Sequence, residues 1–143
     1  MRFLAGTWSR SVKSSRRPAA FHETVSTSFS SDGYWMLTRT VTEKVPWNPI
    51  EITRDDRITY DPTTVRWIDL GTDDYGLYDV STSRGWNGNS ITWADLVYPK
   101  SHAVKANNPL VFRKLSDRKT ESITSLVEPS GRVVSVVTRC SRV

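Results

Sequence analysis

The chain has 143 residues, and its 20 Lys and Arg against 15 Asp and Glu give a formal net charge of +5. This length predicts a single domain over residues 1–143. Hydrophobic residues make up 37% of the chain and include 6 Trp, 5 Tyr and 4 Phe, which argues against a disordered protein. No apolar run approaches the roughly 20 residues that a membrane-spanning helix needs, so we expect no membrane span.

The single cysteine, Cys140, excludes an intrachain disulfide and a multi-cysteine zinc site. The two histidines, His22 and His102, are too few for an ordinary structural zinc site, and nothing in the sequence places either beside Cys140. We therefore expect no metal and no cofactor, with Cys140 as a small, partly buried side chain.

Strand signals dominate the chain. Helical spacing of apolar residues is almost absent, Thr, Ser and Val are abundant, and turn residues recur at short intervals, which is typical of an antiparallel all-β domain. The predicted strands are 6–14, 21–30, 34–45, 50–60, 65–72, 77–82, 90–98, 110–116, 121–128 and 132–141.

Turn residues separate these strands. Ser31-Asp32-Gly33, Asp61-Pro62 and the Asn87-Gly88 pair have the composition of tight turns, and 99–109 is the longest predicted break. Short connections favour up-and-down hairpins, and such a meander hides its edges best by closing on itself. The predicted fold is therefore an all-β, antiparallel up-and-down barrel of about 8–10 strands.

Alternation along the fourth strand separates two faces. Ile52, Arg54, Asp56, Ile58 and Tyr60 share one face, while the opposite face is uniformly polar. We therefore expect Arg54 and Asp56 to point into the barrel. A tightly packed core would not select such residues, whereas a polar-lined pocket would, provided that each buried carboxylate finds a partner.

The pattern Trp-x-Asp occurs twice, at Trp67 to Asp69 and at Trp93 to Asp95. In both strands the tryptophan and the aspartate share a face, which predicts aromatic and carboxylate groups lining one cavity. The opposite faces of these strands are also apolar, so a second interpretation stays open. In that interpretation the aspartates lie outside and the tryptophans only pack the core.

The stretch Phe3-Leu4-Ala5-Gly6-Thr7-Trp8 resembles the opening of calycin barrels, since lipocalins, fatty-acid-binding proteins and avidins begin their first strand with a similar Gly-x-Trp. The resemblance implies that Trp8 closes one end of the barrel. It also implies that a basic residue of the last strand packs across the indole; Arg139 is the candidate, with Arg142 as the alternative. A guanidinium suits this place because it stacks on an indole while donating to backbone carbonyls.

The region from Ile58 through Trp67 and Gly85-Trp86-Asn87-Gly88-Asn89 to Trp93 resembles small bacterial calycin-like proteins of the uncharacterised DUF1579 type. The haem-binding nitrobindins have a similar ten-strand barrel and Gly-Thr-Trp opening. They bind iron through a late histidine, and this chain has no His after His102. That departure argues against haem.

These patterns favour a barrel that binds a small apolar or aromatic molecule as a carrier, sensor or sequestering protein. Ordered polar groups would orient the ligand, and loops would surround the entrance. The candidate ligand-binding residues are Trp35, Arg54, Trp67, Asp69, Tyr78, Trp93, Asp95 and His102.

An alternative function is a cofactor-independent cyclase or isomerase in the same cavity. Asp69 or Asp95 would move the proton, with its pKa raised by burial, and Tyr78 or Tyr98 would donate a hydrogen bond. The sequence shows no Ser-His-Asp arrangement, phosphate-binding glycine loop or metal motif, which argues against hydrolases, kinases and metalloenzymes.

A third hypothesis is weak nucleic-acid binding through two basic clusters. The even spread of acidic residues argues against it. The basic clusters are Arg10, Lys13, Arg16 and Arg17, and Arg113, Lys114, Arg118 and Lys119. Met1-Arg2 leads almost directly into the first strand without a secretory apolar segment. The sequence leaves two locations open: cytoplasmic as written, or secreted or periplasmic if a leader was removed. The oligomeric state is left open.

Overall fold

A computed structural model describes the backbone of residues 1–97 and 105–143 and the side chains of residues 1–94 and 109–143. Within these residues a 3-10 turn at Arg2–Leu4 is followed by eleven strands. The strands are β1 (Gly6–Ser14), β2 (Phe21–Phe29), β3 (Met36–Thr42), β4 (Ile52–Asp61), β5 (Arg66–Asp73), β6 (Tyr78–Ser83), β7 (Trp86–Asn87), β8 (Ser90–Val97), β9 (Lys105–Ser116), β10 (Lys119–Val127) and β11 (Val133–Arg142). None of the described segments is a helix with the length and apolar character needed to cross a bilayer.

Ten of the strands close into an antiparallel barrel. Each pairs with the next along the chain, β6 pairs directly with β8, and β11 returns to pair with β1. The two-residue β7 pairs with β8 through a tight turn. Closure gives each described barrel strand a partner on both sides, which protects strand edges from pairing with another chain. The predicted all-β, up-and-down barrel is confirmed.

The hairpin turn predicted at the Asn87-Gly88 pair forms. Trp86 pairs with Ile91 and Asn87 with Ser90, so Gly88 and Asn89 form a two-residue hairpin turn. Gly88 has a φ of 60°, a conformation that favours glycine, which explains why an Asn-Gly pair stands here.

The predicted break over 99–109 is wrong at its C-terminal end, because β9 already begins at Lys105. Pro109 therefore lies inside a strand. The register with β10 shifts between Ile123 and Ser125, opposite this proline. A bulge tolerates proline because the missing N–H is not needed for a regular ladder bond there.

Apolar side chains on the inner face form the core at one end of the barrel. Met36, Ile58, Ile91 and Trp93 are buried together, and Met1 and Leu4 of the N-terminal segment pack against them. The 3-10 turn thus covers this end. Burial of large apolar side chains is the main favourable contribution to folding, so this cluster anchors β3, β4 and β8 to each other.

Trp8 lies beneath the N-terminal segment. It is only 2% exposed, and its Nε1 donates to the Leu4 carbonyl at 2.8 Å. The Arg142 guanidinium lies 5.3 Å from the centre of the Trp8 ring and donates to the Ala5 carbonyl. Arg142 therefore holds the N-terminal segment against the indole. Assigning this role to Arg139 is wrong, because Arg139 lies on the outer face and pairs with Glu121 at 3.1 Å.

Replacing Trp8 with alanine is expected to lower the free energy of unfolding by about 3–5 kcal/mol, because it removes a large buried ring and its contacts with Arg142. Chemical denaturation measures the loss. Tyr34→Ala is the control, since Tyr34 is 75% exposed, and we expect that variant to stay within about 0.5 kcal/mol of wild type. A loss below about 1 kcal/mol for Trp8→Ala would contradict a sealing role.

Candidate functional site

The barrel encloses a cavity of about 660 Å³. Its lining divides into an apolar part and a polar part. The apolar part is formed by Met1, Leu4, Trp8, Val12, Val25, Met36, Ile58, Trp86, Ile91, Trp93, Leu110, Phe112, Leu126 and Val136. A volume of this size lies within the range of small-molecule sites.

One wall of the cavity, formed by β4, β5 and β6, carries a charged cluster. Arg54 Nε donates to Asp56 Oδ1 at 2.8 Å, and Arg54 Nη2 donates to Asp79 Oδ1 at 2.7 Å. Asp56 is paired across the strands with Gly71, and Gly71 with Asp79. The guanidinium therefore lies across β5 and joins carboxylates on the two neighbouring strands.

Gly71 makes this arrangement possible by leaving space. A β-carbon at this position would lie 2.5 Å from Asp79 Oδ1 and closer still to the Arg54 guanidinium. Any side chain would have to displace the ion pairs, so a residue without one is required here. The reason is close approach, since Gly71 does not have a positive φ.

Charge pairing offsets the cost of burying this cluster. Burial by itself would lower the pKa of Arg54, but attraction to Asp56 and Asp79 outweighs it, and the pKa is raised. Burial raises the pKa of Asp56, and the ion pair with Arg54 opposes that rise. The two carboxylates thus keep Arg54 charged and fixed in place. Removing either one would leave the buried charge of Arg54 incompletely compensated.

Asp69 lies on β5, one step along the wall from this cluster, between Ile58 on β4 and Ser81 on β6. It lines the cavity, and its buried Oδ1 has no hydrogen-bond partner. Burial, reinforced by repulsion from Asp56, raises the pKa of Asp69 to about 8 although Arg54 opposes the shift. Asp69 is therefore mainly protonated at neutral pH.

The raised pKa of Asp69 links stability to pH. Between 3.8 and about 8 the folded protein keeps the proton that the unfolded chain has lost. The contribution of Asp69 to the free energy of unfolding therefore falls as pH rises through this range.

A second polar group lines the cavity through β1, β2 and β11. Arg10 pairs with Glu23, and Thr42 Oγ1 donates to Glu23 Oε1 at 2.8 Å. Cys140 also lines the cavity; it is partly buried, and burial raises the pKa of its thiol. In the described part of the chain, no three His, Cys, Asp or Glu side chains are grouped to hold a metal ion.

Of the predicted ligand-binding residues, Arg54, Asp69 and Trp93 line the cavity. Trp67 does not; it packs against the core cluster from the side, with its ring 5.5 Å from that of Tyr60. Trp35 lies just before β3, where its backbone N–H donates to Ser30 Oγ at 3.0 Å, and it is also outside the cavity lining.

Tyr78 faces away from the cavity and is 50% exposed, so its assignment as a ligand-binding residue is wrong in this structure. The alternation of β6 explains the error, because Asp79 and Ser81 face inward and leave Tyr78 on the outer face. The side chain of Asp95 and the whole of Tyr98 and His102 lie outside the described residues.

Sequence reasoning missed Asp79, Gly71 and the Arg10–Glu23 pair. β6 has polar residues on its inner face and apolar ones outside, the reverse of the usual pattern, so alternation alone points the wrong way. The informative signal is register, since Asp56, Gly71 and Asp79 become neighbours only when three strands are aligned.

Contacts within the protein occupy many of the basic side chains considered for nucleic-acid binding. Arg10 faces the cavity rather than solvent. The other contacts are Lys13 Nζ to the Pro18 carbonyl at 2.6 Å, Arg16 to Glu128 at 3.1 Å, Arg17 over the Trp47 ring at 5.4 Å and Lys114 to Asp117 at 2.5 Å. Such contacts reduce the charge that these clusters present to phosphates.

Comparisons with known proteins support the fold alone. No family of known proteins matches the chain, and no curated protein matches it either. A solved structure of a protein of unknown function from the DUF3598 family of Nostoc punctiforme is similar, with a TM-score of 0.67 and 12% identity. The match covers 99% of this chain and 48% of that one, so this chain spans about half the length of that protein. The predicted DUF1579 resemblance is not confirmed.

Gly71→Ala is expected to lower the free energy of unfolding by about 2 kcal/mol or more, because the added methyl group overlaps the Arg54–Asp79 ion pair. Thermal or chemical denaturation measures the change. Thr72→Ala is the matched control, since Thr72 is the next residue of β5 and is exposed. Equal, small losses for the two variants would show that the guanidinium does not need the space at Gly71.

Proposed function

We propose that the barrel binds a small, largely apolar molecule in its cavity and acts as a carrier, sensor or sequestering protein. The observation that carries the proposal is the cavity of about 660 Å³, in which aromatic and aliphatic side chains form a continuous part of the lining beside a polar part. A mostly apolar pocket with a few fixed polar groups is the usual form of a small-molecule site.

The rigidity of the polar wall supports the proposal. Arg54 is held by two carboxylates before any ligand arrives, so the wall is ordered in advance. A ligand therefore meets groups that already have fixed positions, and its binding loses less free energy to ordering of side chains. Trp93 and Trp86 provide aromatic surface in the same cavity.

Kinship with calycin barrels is part of the proposal. The contact of the Arg142 guanidinium with the Trp8 ring matches what the Gly-x-Trp resemblance implies, with Arg142 in the place considered for Arg139. A relationship to the DUF1579 proteins rests on the sequence resemblance. A relationship to calycin barrels favours a ligand-binding function without identifying the ligand.

A cofactor-independent enzyme is the second candidate, favoured by Asp69. A cavity carboxyl with a pKa of about 8 can hold or release a proton near neutral pH. The second predicted acid, Asp95, has its side chain outside the described residues, and Tyr78 faces outward. Binding is the better supported function because it needs no second reacting group.

Binding of the neutral dye Nile red tests the proposal. We expect one dye per chain, quenching of tryptophan emission, and affinity weakened about three- to tenfold in Trp93→Phe, because Trp93 lines the cavity. Trp35→Phe is the matched control, since Trp35 lies outside the lining, and should leave the affinity within about twofold. Equal affinities in both variants, or binding of many dyes per chain, would contradict a cavity site.

A further inference from the structure

The balance of charge inside the cavity restricts the kind of ligand that fits. In the described lining there are two cationic side chains, Arg10 and Arg54, and both already pair with carboxylates. Of the four lining carboxyl groups, Glu23, Asp56 and Asp79 are paired with these arginines, whereas Asp69 Oδ1 has no hydrogen-bond partner. The group available to a ligand is therefore an acid and not a base.

We propose that the cavity selects molecules that join an apolar body to a protonated amine, and that Asp69 is the counter-ion of that amine. The inference rests on the proposed binding function and specifies its ligand class. A fatty acid or other carboxylate would meet cations that are already neutralised and would lie near an additional acid. An ammonium group would supply the donor that Asp69 Oδ1 lacks, as a charge-assisted hydrogen bond.

The position of Asp69 fits an amphipathic ligand. Asp69 is the cross-strand neighbour of Ile58, which belongs to the buried cluster with Met36, Ile91 and Trp93. On its other side along β5, Gly71 opens onto the Arg54 guanidinium. Asp69 thus lies where the apolar lining meets the charged wall. A molecule whose amine contacts Asp69 can keep its body against the apolar residues, so charge and apolar surface are satisfied together.

The charged groups around Asp69 have a net negative charge, which also favours a cationic ligand. Arg54 and Asp56 on β4 and Asp79 on β6 form one cluster with a net charge of −1, and Arg10 and Glu23 from β1 and β2 cancel each other. On the next strand Asp95 pairs through its backbone with Ser81, and its side chain lies outside the described residues. A cation entering the cavity is therefore attracted by a wall with a net negative charge.

Binding of the amine has a definite proton balance. At neutral pH the protein mainly carries a protonated Asp69, because burial raises the pKa of that carboxyl to about 8. When R–NH₃⁺ binds, the O–H bond of the carboxyl breaks, its proton leaves to solvent, and a carboxylate–ammonium pair forms. Affinity should therefore rise with pH until Asp69 is ionised, and fall once the amine loses its own proton, near pH 10 for a simple alkyl amine.

Isothermal titration calorimetry with three naphthalene probes of similar size tests the inference: 2-(2-naphthyl)ethylamine, 2-(2-naphthyl)ethanol and 2-naphthylacetate. We expect the amine to bind about tenfold or more tightly than the alcohol, and the acetate to bind most weakly. Titrations at pH 7 in two buffers of different ionisation enthalpy should show release of close to one proton for the amine and none for the alcohol.

Asp69→Asn should remove the amine preference and the proton release while keeping the affinity for the alcohol. Asp117→Asn is the matched control, because Asp117 lies on the surface and pairs with Lys114 outside the cavity. The selectivity among the probes and the proton release are measured on the wild-type protein, so they test the inference even if Asp69→Asn fails to fold. Binding of the acetate as tightly as the amine, or a preference that survives in Asp69→Asn, would overturn the inference alone. Absence of binding by all three probes would overturn the proposed binding function as well.

Discussion

The ion pairs that Arg54 makes across β5 are the constraint on which the cavity depends. A barrel interior filled only with apolar side chains would close on itself, since cores pack densely. Here Arg54 extends over Gly71 to reach Asp56 and Asp79, so one wall carries charges that must remain hydrogen-bonded. Apolar side chains packed over these groups would leave their remaining donors and acceptors without partners. The space beside the cluster therefore stays open.

The same cluster sets the chemistry of Asp69. Arg54 satisfies two carboxylates on the cross-strand row of Gly71, and Asp69 stands one row closer to the apolar lining with no hydrogen-bond partner for its Oδ1. An acid in such a place remains protonated at neutral pH because ionisation would bury an uncompensated charge. The proposed amine would supply the cation that this neutral carboxyl lacks. The proposed ligand selection and the proton release thus have the same origin in the position of Asp69.

Much of the fold follows from local sequence signals. The first predicted strand, 6–14, coincides with β1, and the Asn-Gly pair forms the expected hairpin. Alternation along the fourth strand correctly places Arg54 on the cavity side. The site was harder to predict, because it depends on register across three strands. Asp79 could not be paired with Arg54 from the spacing of residues along the chain. Tyr78, a predicted ligand-binding residue, lies on the outer face because β6 has its polar residues inside.

The tryptophans show where composition stops being informative. Trp8, Trp86 and Trp93 line the cavity, whereas Trp35 and Trp67 do not. All are aromatic residues in or beside strands, and only the closure of the barrel separates them. The choice between Arg139 and Arg142 has a similar cause. The two residues lie three positions apart in β11, so they point to opposite faces, and only Arg142 reaches the Trp8 ring.

Carbon-detected NMR titration of the aspartate carboxyl groups in the ligand-free protein measures the pKa of Asp69, on which the proposed ligand selection depends. Comparison with Asp69→Asn assigns the Asp69 signal. We expect this carboxyl to titrate near pH 8, because it is buried beside a charged cluster that offers it no partner. A midpoint near the ordinary aspartate value of about 4 would contradict a buried, unpartnered Asp69, since it would mean that the carboxyl is well solvated or already paired with a cation.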